Sequence, residues 1–437
     1  MNRLLKTATV VLSIIVPRIS ASMEYSWDNG AFSVETVSDE DPVAYRNTGR
    51  KSFWTIFKGM TACQDTSAAL RARHRLTPAQ GKILMEYLSS KYSDRESWEL
   101  RKAEIRADLK RNMGLAEVSQ KFNGRIFLGT ARNYDGYSVM NMGLEILPGV
   151  FCTGSVYWPE VHAGLLPLIL NPHGHYEGGR NHPIVQTRCA ALALMGCVSV
   201  SYDMFAYGSE PQFDEKFHKT AVAQPFNVLC AERLLDLFLA DSRIDNSRVG
   251  ITGSSGGGSQ CFFVTALDDR ITLSIPVVMV SSASFGGCPC ESGTEVHFSG
   301  TLTNNVELAA LCAPRPMLLI SDGADWTKDF PEIDFPYIER VYGFYAAENK
   351  VDCVHFPDEV HDYGPSKRKA AYEFLAKHWN LNTDPVIASD GTPDESRCMI
   401  ESAAQLKVWG HDCNDLPSDA VRSVREFADM LGWQKKK

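Results

Sequence analysis

The chain has 437 residues, of which 44% are hydrophobic and 22% charged, and its formal net charge at pH 7 is -9. This composition is typical of a globular protein with enough length for one large core, and it excludes an intrinsically disordered chain. The acidic balance also argues against nucleic acids and anionic membranes as partners, because both carry the same sign of charge.

The first 22 residues have the order of a secretory signal peptide. Two basic residues precede an apolar run over residues 7–16, and small residues follow at 20–22. The apolar run is too short to span a bilayer, so we expect cleavage near Ala21 or Ser22 and a secreted or periplasmic protein. Arg18 is untypical so close to a cleavage site, and a buried N-terminal segment is the alternative.

Residues 23–119 are predicted to form an N-terminal helical extension. Thr77-Pro78 is a helix-start signal, and Ser93 with Glu96 has the spacing of a capping box that opens a second helix. The extension has too few apolar residues for a core of its own, so we expect it to pack on the main domain.

Residues 120–382 predict one catalytic domain with a mostly parallel, doubly wound α/β sheet. Apolar residues alternate from Met140 to Ile146 before a Pro-Gly turn, which predicts a hairpin. Continuous apolar runs then alternate with helical patterns, as in a sheet buried on both faces. These predicted strands cover 165–170, 196–202, 248–252, 275–280, 316–320 and 351–356, with helices over 185–195 and 367–379 among those between and after them. Residues 383–437 are expected to be a C-terminal tail with a helix, in which Cys398 and Cys413 could form a disulfide.

One G-x-S-x-G motif, Gly253-Ser254-Ser255-Gly256-Gly257, makes Ser255 the candidate nucleophile. A nucleophile on a sharp strand-to-helix turn tolerates only very small residues two positions away on either side. A buried strand precedes the motif and a helical pattern follows it, as this turn requires. The same turn would aim the N–H of Gly256 at a developing oxyanion.

A serine nucleophile needs a histidine base and an acid that orients it, and both are expected after later strands, in the order acid then histidine. Asp325 and His361 satisfy that order. Other carboxylates in the first of these loops leave alternatives for the acid, namely Asp322, Asp329 and Glu332.

The loop after the strand at 165–170 reads Asn171-Pro172-His173-Gly174-His175. We expect the N–H of His175 to be the second oxyanion donor. His173 and His175 could instead ligate a metal, but no third ligand at suitable spacing is visible. Cys288 and Cys290 likewise lack nearby partners at ligand spacing, so no metal site is predicted.

The segment from about 120 to 380 resembles the α/β-hydrolase superfamily and, within it, the acetyl xylan esterase-like branch related to dienelactone hydrolases and prolyl-oligopeptidase catalytic domains. The resemblance is carried by His173-Gly174-His175, residues 203–209, Gly253–Gly257, Asp325 and His361. Dienelactone hydrolases carry cysteine where this chain has Ser255, and glucuronoyl esterases carry arginine where it has Gly256. We therefore expect neither of these relatives to describe the chain best.

The resemblance implies a serine carboxylic-ester hydrolase that needs no cofactor and acts on a carbohydrate ester, with an acetylated polysaccharide preferred. Trp326, Trp158 and Tyr363 are candidate substrate-binding residues, since aromatic faces stack on sugars, although they could equally be core residues. The long loop over residues 281–305 is expected to border the site. A serine peptidase of the prolyl-oligopeptidase type and a non-catalytic binding protein are the alternatives.

Overall fold

The computed structural model describes residues 76–118, 122–160, 164–208, 212–292, 302–410 and 413–433, together with the backbone of an antiparallel hairpin, β1 (Met23–Asp28) and β2 (Ala31–Thr36). The predicted signal peptide lies outside these residues. Within the described part of the chain, no helix combines the length and apolar character that crossing a membrane would require.

Ten further strands build one sheet. They are β3 (Ile126–Leu128), β4 (Arg132–Tyr134), β5 (Tyr137–Leu147), β6 (Val150–Pro159), β7 (Leu166–Leu170), β8 (Val198–Tyr202), β9 (Ile244–Ser254), β10 (Leu273–Val277), β11 (Met317–Asp322) and β12 (Val351–Phe356). Their order is β12-β11-β10-β9-β7-β8-β6-β5-β3, with β4 also paired to β5.

The sheet is parallel where the predicted site residues lie. Strands β7 to β12 pair in parallel, whereas β3 to β6 and the β6–β8 contact are antiparallel. The predicted mostly parallel sheet is confirmed, and each predicted strand is found within a few residues of its expected bounds. The carboxyl ends of β7 to β12 consequently meet along one edge of the sheet.

Helices cover both faces of this sheet, which confirms the doubly wound arrangement. Leu168 and Leu170 share a buried cluster with α5 (Ala223–Phe238), α6 (Gly256–Leu267), α8 (Asn305–Ala310) and α9 (Phe335–Gly343). Ile169 points to the opposite cluster with α4 (Pro183–Leu194) and α10 (Pro365–Trp379). The short α7 (Pro289–Ser292) lies in the loop between β10 and α8.

The described N-terminal helices are α1 (Pro78–Ser89), α2 (Arg95–Asn112) and α3 (Leu115–Val118). Thr77 caps α1 as predicted, but α2 is capped by Asp94 with Ser97, not by Ser93 with Glu96. The aspartate accepts the Ser97 N–H at 2.9 Å, a stronger cap than the hydroxyl one residue earlier.

A buried ion pair joins α2 to α8. Arg101 donates to both carboxylate oxygens of Glu307, at 2.9 and 2.8 Å, and the two side chains are 6% and 0% exposed. Such a bidentate pair fixes the approach of the two helices, because either charge alone would be buried without compensation.

The segment after residue 383 also packs on the sheet domain and includes α11 (Val424–Met430). Phe427 of this helix stacks on Phe205 with ring centroids 5.7 Å apart. Cys398 and Cys413 do not form with each other the disulfide considered for the tail. Packing and hydrogen bonds hold this segment, among them one from Arg180 to the Leu406 carbonyl at 2.7 Å.

Candidate active site

The turn between β9 and α6 holds Ser255 in an unusual backbone conformation. Its φ is 55° and its ψ is -122°, which a residue with a side chain rarely adopts and which costs conformational energy. The surrounding packing maintains the turn. A Cβ at position 253 would lie 2.5 Å from the Pro172 carbonyl oxygen, and one at 257 only 2.3 Å from it. The two outer glycines of the motif are therefore required by the close approach of the β7 loop.

The candidate base and acid meet at the same edge of the sheet. Asp325 follows β11 and His361 follows β12, and the Asp325 Oδ2 lies 2.5 Å from Nδ1 of the imidazole. The other carboxylate oxygen accepts from the Thr327 N–H at 2.5 Å and from its hydroxyl at 2.6 Å. The carboxylate is 4% exposed and the imidazole 32%. The imidazole is thus oriented from a buried side and remains accessible on the other.

The alternative acids are placed differently. Asp322 is fully buried, and its carboxylate lies 3.4 Å from the ammonium of Lys367. It also lies within 4.8 Å of the Asp325–His361 pair, but the carboxylate that is hydrogen-bonded to the imidazole is that of Asp325. Burial and the neighbouring Asp325 raise the pKa of Asp322 above its usual value. Asp329 and Glu332 lie at the start of a short π-helical turn over Phe330–Asp334. Among the four candidates, Asp325 has the contact that an orienting acid needs.

A pocket of about 590 Å³ opens in front of the serine. Its lining includes Ser255, Trp326, His175, His218, Cys288, Glu291, Lys216 and Lys219. The indole of Trp326 lies against the His361 imidazole with ring centroids 4.6 Å apart, so the Asp325–His361 pair lies beside this pocket. Trp326 is the predicted aromatic residue that does face the site.

The predicted oxyanion loop lies against the nucleophile turn. A Cβ at Gly174 would be 3.3 Å from the Ser255 Cβ, and a Cβ at Gly256 would be 3.0 Å from the His175 imidazole. The structure therefore brings Gly256 and His175 together next to the serine, where donors for an oxyanion are needed.

His173, by contrast, is a fully buried structural residue. Its Nδ1 bonds the Gly174 carbonyl at 2.7 Å and its Nε2 accepts the Met204 N–H at 3.2 Å. This pairing requires the neutral imidazole, and burial lowers its pKa to about 4.

Two predicted substrate-binding residues lie away from the pocket. Tyr363 is fully buried, and its hydroxyl pairs with that of Thr252 at 2.7 Å. Trp158 lies under the guanidinium of Arg243, which directly precedes β9, whereas Ser255 follows the other end of that strand. Neither side chain is therefore placed to touch a substrate at Ser255. Their aromatic character and, for Tyr363, its position close to His361 in the sequence do not decide which way a side chain points.

The pocket also contains residues to which the sequence analysis assigned no role at the site. Lys216, His218 and Lys219 come from the loop after β8, and Cys288 and Glu291 from the long loop after β10. The second loop was expected to border the site, and the described part of it does. For the loop after β8, its position directly after a parallel strand was the feature of the sequence that could have indicated a place at the site.

Comparison with known proteins extends this description. Residues 228–294, which include the nucleophile turn, match the family described as glucuronyl esterase, fungi. The solved structure of methylesterase BT1017 is 40% identical, with a TM-score of 0.77, and the match covers 81% of this chain and 79% of that one. The chain belongs to the same family as this methylesterase, a family of carbohydrate esterases.

A more distant structural neighbour, described as a putative acetyl xylan esterase from Bacteroides fragilis, is 15% identical with a TM-score of 0.50, and the match covers 62% of this chain and 78% of that one. At this identity the likeness is one of fold. No curated protein sequence matches. The predicted α/β-hydrolase fold and esterase class are confirmed, and the match over residues 228–294 exists despite the glycine at position 256, which we expected to separate the chain from glucuronoyl esterases.

Proposed function

We propose that this esterase cleaves carbohydrate esters through an acyl-enzyme on Ser255. The hydroxyl attacks the ester carbonyl while His361 takes its proton, and Asp325 holds the imidazole. The N–H groups of Gly256 and His175 stabilise the oxyanion. Collapse of the tetrahedral intermediate expels the alcohol, which receives the proton from His361. Water then attacks the acyl-enzyme by the same steps and releases the carboxylic acid.

The observation that carries this proposal is the combination of a strained serine in the pocket with a hydrogen-bonded Asp325–His361 pair beside it. Strain of this kind is retained where the surrounding structure enforces it, and such residues concentrate at functional sites. A non-catalytic binding role would need neither the strained turn nor the oriented imidazole.

We propose a methyl ester of a sugar carboxylate as the substrate, in preference to the acetyl ester expected from the sequence. The 40% identical relative is a methylesterase, whereas the likeness to the acetyl xylan esterase is confined to the fold. In a methyl ester the sugar carries the acyl carbon and methanol leaves. Lys216 and Lys219 in the pocket lining suit such a substrate, because other carboxylates of an acidic oligosaccharide would be attracted to them.

The experiment measures methanol and acetate separately. The full chain is incubated with a methyl-esterified uronic-acid oligosaccharide and with acetylated xylan, alongside Ser255→Ala and the adjacent control Ser254→Ala. We expect methanol without acetate, a loss of at least about 10³-fold for Ser255→Ala, and activity within tenfold of wild type for Ser254→Ala. Acetate without methanol would favour the acetyl esterase. Activity on neither substrate would favour the peptidase or the binding protein.

We also propose that the protein is secreted or periplasmic, on the strength of the signal-like residues 1–22. Expression of the full chain in a secreting host, followed by N-terminal sequencing of the exported product, tests this. A mature N-terminus near residue 22 or 23 is expected, and intracellular retention of the uncleaved chain would contradict the proposal.

A further inference from the structure

Four potential metal ligands from three separate loops converge beside the candidate nucleophile. One ligand atom each from His175, His218, Cys288 and Cys290 lies within 4.8 Å of the others. The Nε2 atoms of the two histidines are 3.0 Å apart, and the Cys290 Sγ is 3.2 Å from the His175 Nε2. The side chains of His218, Cys288 and Cys290 are buried, and that of His175 is 27% exposed.

We propose that these four side chains form a metal site for a zinc-class divalent cation. Two imidazoles and two thiolates are the donor set of tetrahedral structural zinc sites. Usual Zn–N and Zn–S bond lengths at tetrahedral angles place donor atoms about 3.3 to 3.8 Å apart. The two measured separations lie just below that range and the others do not exceed 4.8 Å, so small side-chain rotations would suffice to enclose an ion.

The Nδ1 atoms of the two histidines, which point away from the cluster, have the kinds of partner that metal-bound histidines have. The His218 Nδ1 bonds the Phe205 carbonyl at 2.7 Å, which makes Nδ1 the protonated nitrogen and turns the Nε2 lone pair into the cluster. The His175 Nδ1 lies 3.5 Å from the Glu291 carboxylate, again with Nε2 facing the cluster. Metal-bound histidines almost always have such a carbonyl or carboxylate partner on the other nitrogen.

Glu291 also holds the cysteine loop. Its Oε2 accepts the N–H of Gly287 at 2.7 Å and of Cys288 at 3.1 Å, so one buried carboxylate contacts both the histidine and the backbone that carries the first cysteine. This second contact is independent of the four donor atoms. It keeps the Cys288-x-Cys290 segment at the cluster with no contribution from a metal.

The position of the cluster suggests what the ion does. Four protein ligands close the coordination sphere, so the ion would hold structure and would not activate water. It would join the loops after β7, β8 and β10, which together form one wall of the pocket. The positioning residues are then His218, Cys288 and Cys290, which fix the loop carrying the His175 N–H. This role rests on the proposed function.

This site could not be predicted from the sequence because its parts are far apart along the chain. His175 and His218 are separated by 43 residues, and Cys290 lies 115 residues after His175. The Cys288-x-Cys290 pair was the one local signal, and it had no partner at a recognised spacing. The absence of a metal site, expected from the sequence, is the prediction that this proposal replaces.

The test begins with metal content. The full chain is purified without chelators, and zinc is quantified by inductively coupled plasma mass spectrometry in wild type, Cys288→Ser, Cys290→Ser and the control Cys353→Ser, whose cysteine lies on β12. We expect about one zinc per chain in wild type and the control, and a loss of at least about tenfold in the other two. The Co²⁺-loaded wild type should show thiolate-to-cobalt charge-transfer absorption that the two variants lack.

Two outcomes would overturn the proposal. One is a wild type that neither contains zinc nor takes up Zn²⁺ or Co²⁺ in equilibrium dialysis. The other is a Cys288–Cys290 disulfide in peptide mapping of the active protein. If the serine variants fail to fold, chelation of the wild type with a metallochromic indicator reports the same stoichiometry. Because metal content is read independently of ester hydrolysis, failure of this proposal and failure of the proposed function remain distinguishable. If the esterase is active, metal loss should lower kcat more than it changes KM.

Discussion

Asp325 and His361 lie on consecutive strand ends of the parallel sheet, and the aspartate Oδ2 is 2.5 Å from the imidazole Nδ1. The 35 residues between them bring the chain back to the same edge of the sheet. The N–H and the hydroxyl of Thr327 both donate to the other carboxylate oxygen, Oδ1. Oδ2 therefore remains to accept the hydrogen bond from the imidazole, and this bond orients the imidazole.

This relationship predicts the effect of changing the acid. Asp325→Asn keeps the shape of the side chain but presents an amide that can stabilise the wrong imidazole tautomer, so kcat should fall by about 10³ to 10⁴. The thermal midpoint should change little. Asp329→Asn is the matched control and should retain wild-type kcat. Equal losses of kcat in the two variants would contradict the assignment of Asp325 as the orienting acid.

Gly257→Ala tests the packing of the nucleophile turn. The added Cβ would lie 2.3 Å from the Pro172 carbonyl oxygen, a backbone atom that cannot rotate away. We expect a lower urea midpoint, corresponding to about 2 kcal/mol or more of unfolding free energy, together with loss of ester hydrolysis. Gly129→Ala, whose Cβ would have its nearest neighbour at 3.6 Å, should behave as wild type. An unchanged midpoint for Gly257→Ala would show that the turn can relax.

The buried ammonium of Lys367 predicts a large effect on stability. It contacts Asp322 at 3.4 Å, Glu359 at 3.1 Å and Asp362 at 3.0 Å, and the side chains of Lys367 and Asp322 are both fully buried. Lys367→Met would leave the Asp322 carboxylate without compensation, at a cost of about 3 to 5 kcal/mol.

Chemical denaturation measures that cost. Adding Asp322→Asn to Lys367→Met should restore part of the lost free energy, because the uncompensated charge is then gone. The exposed ion pair of Lys369 with Glu373 supplies the control, and Lys369→Met should change stability by less than about 0.5 kcal/mol. A fully additive double variant would argue against the pairing.

Asp334 predicts a pH dependence of stability. Burial raises its pKa from the usual 3.8 to about 7, although hydrogen bonding to Ser282 acts in the opposite direction. Between about pH 4 and pH 7 the folded protein therefore holds a proton that the unfolded chain has released. Since the folded state binds more protons in this window, the free energy of unfolding contributed by Asp334 is fully present below pH 4 and declines as the pH rises through 7.

Asp334→Asn isolates this contribution. Each pH unit between the two pKa values corresponds to about 1.4 kcal/mol, so the upper bound is roughly 4 kcal/mol. The free energy of unfolding of wild type relative to the variant should fall between pH 4 and 7.5 in urea titrations. Burial also raises the pKa of Glu232 to about 7, so a residual decline should persist in the variant. A constant difference between the two proteins would contradict the assignment.

The sequence predicted the sheet well because buried parallel strands are continuous apolar runs, and the nucleophile turn because its glycines are dictated by steric contact. It also predicted that Asp325 and His361 lie close together, since strand order fixes where their loops meet. It failed at Trp158 and Tyr363, where side-chain direction depends on packing that adjacency does not reveal. It did not predict that His218 and Cys288 lie near His175, because that proximity arises only when three distant loops reach one edge of the sheet.

The central claim is that Ser255 is the nucleophile, and covalent labelling tests it most directly. The full chain is treated with a fluorophosphonate ester, digested and mapped by tandem mass spectrometry, with Ser255→Ala and Ser254→Ala treated in parallel. A single adduct on Ser255 in wild type and in Ser254→Ala, with none in Ser255→Ala, is the expected result. An adduct on Ser254 or Ser259, or labelling that persists in Ser255→Ala, would contradict the account.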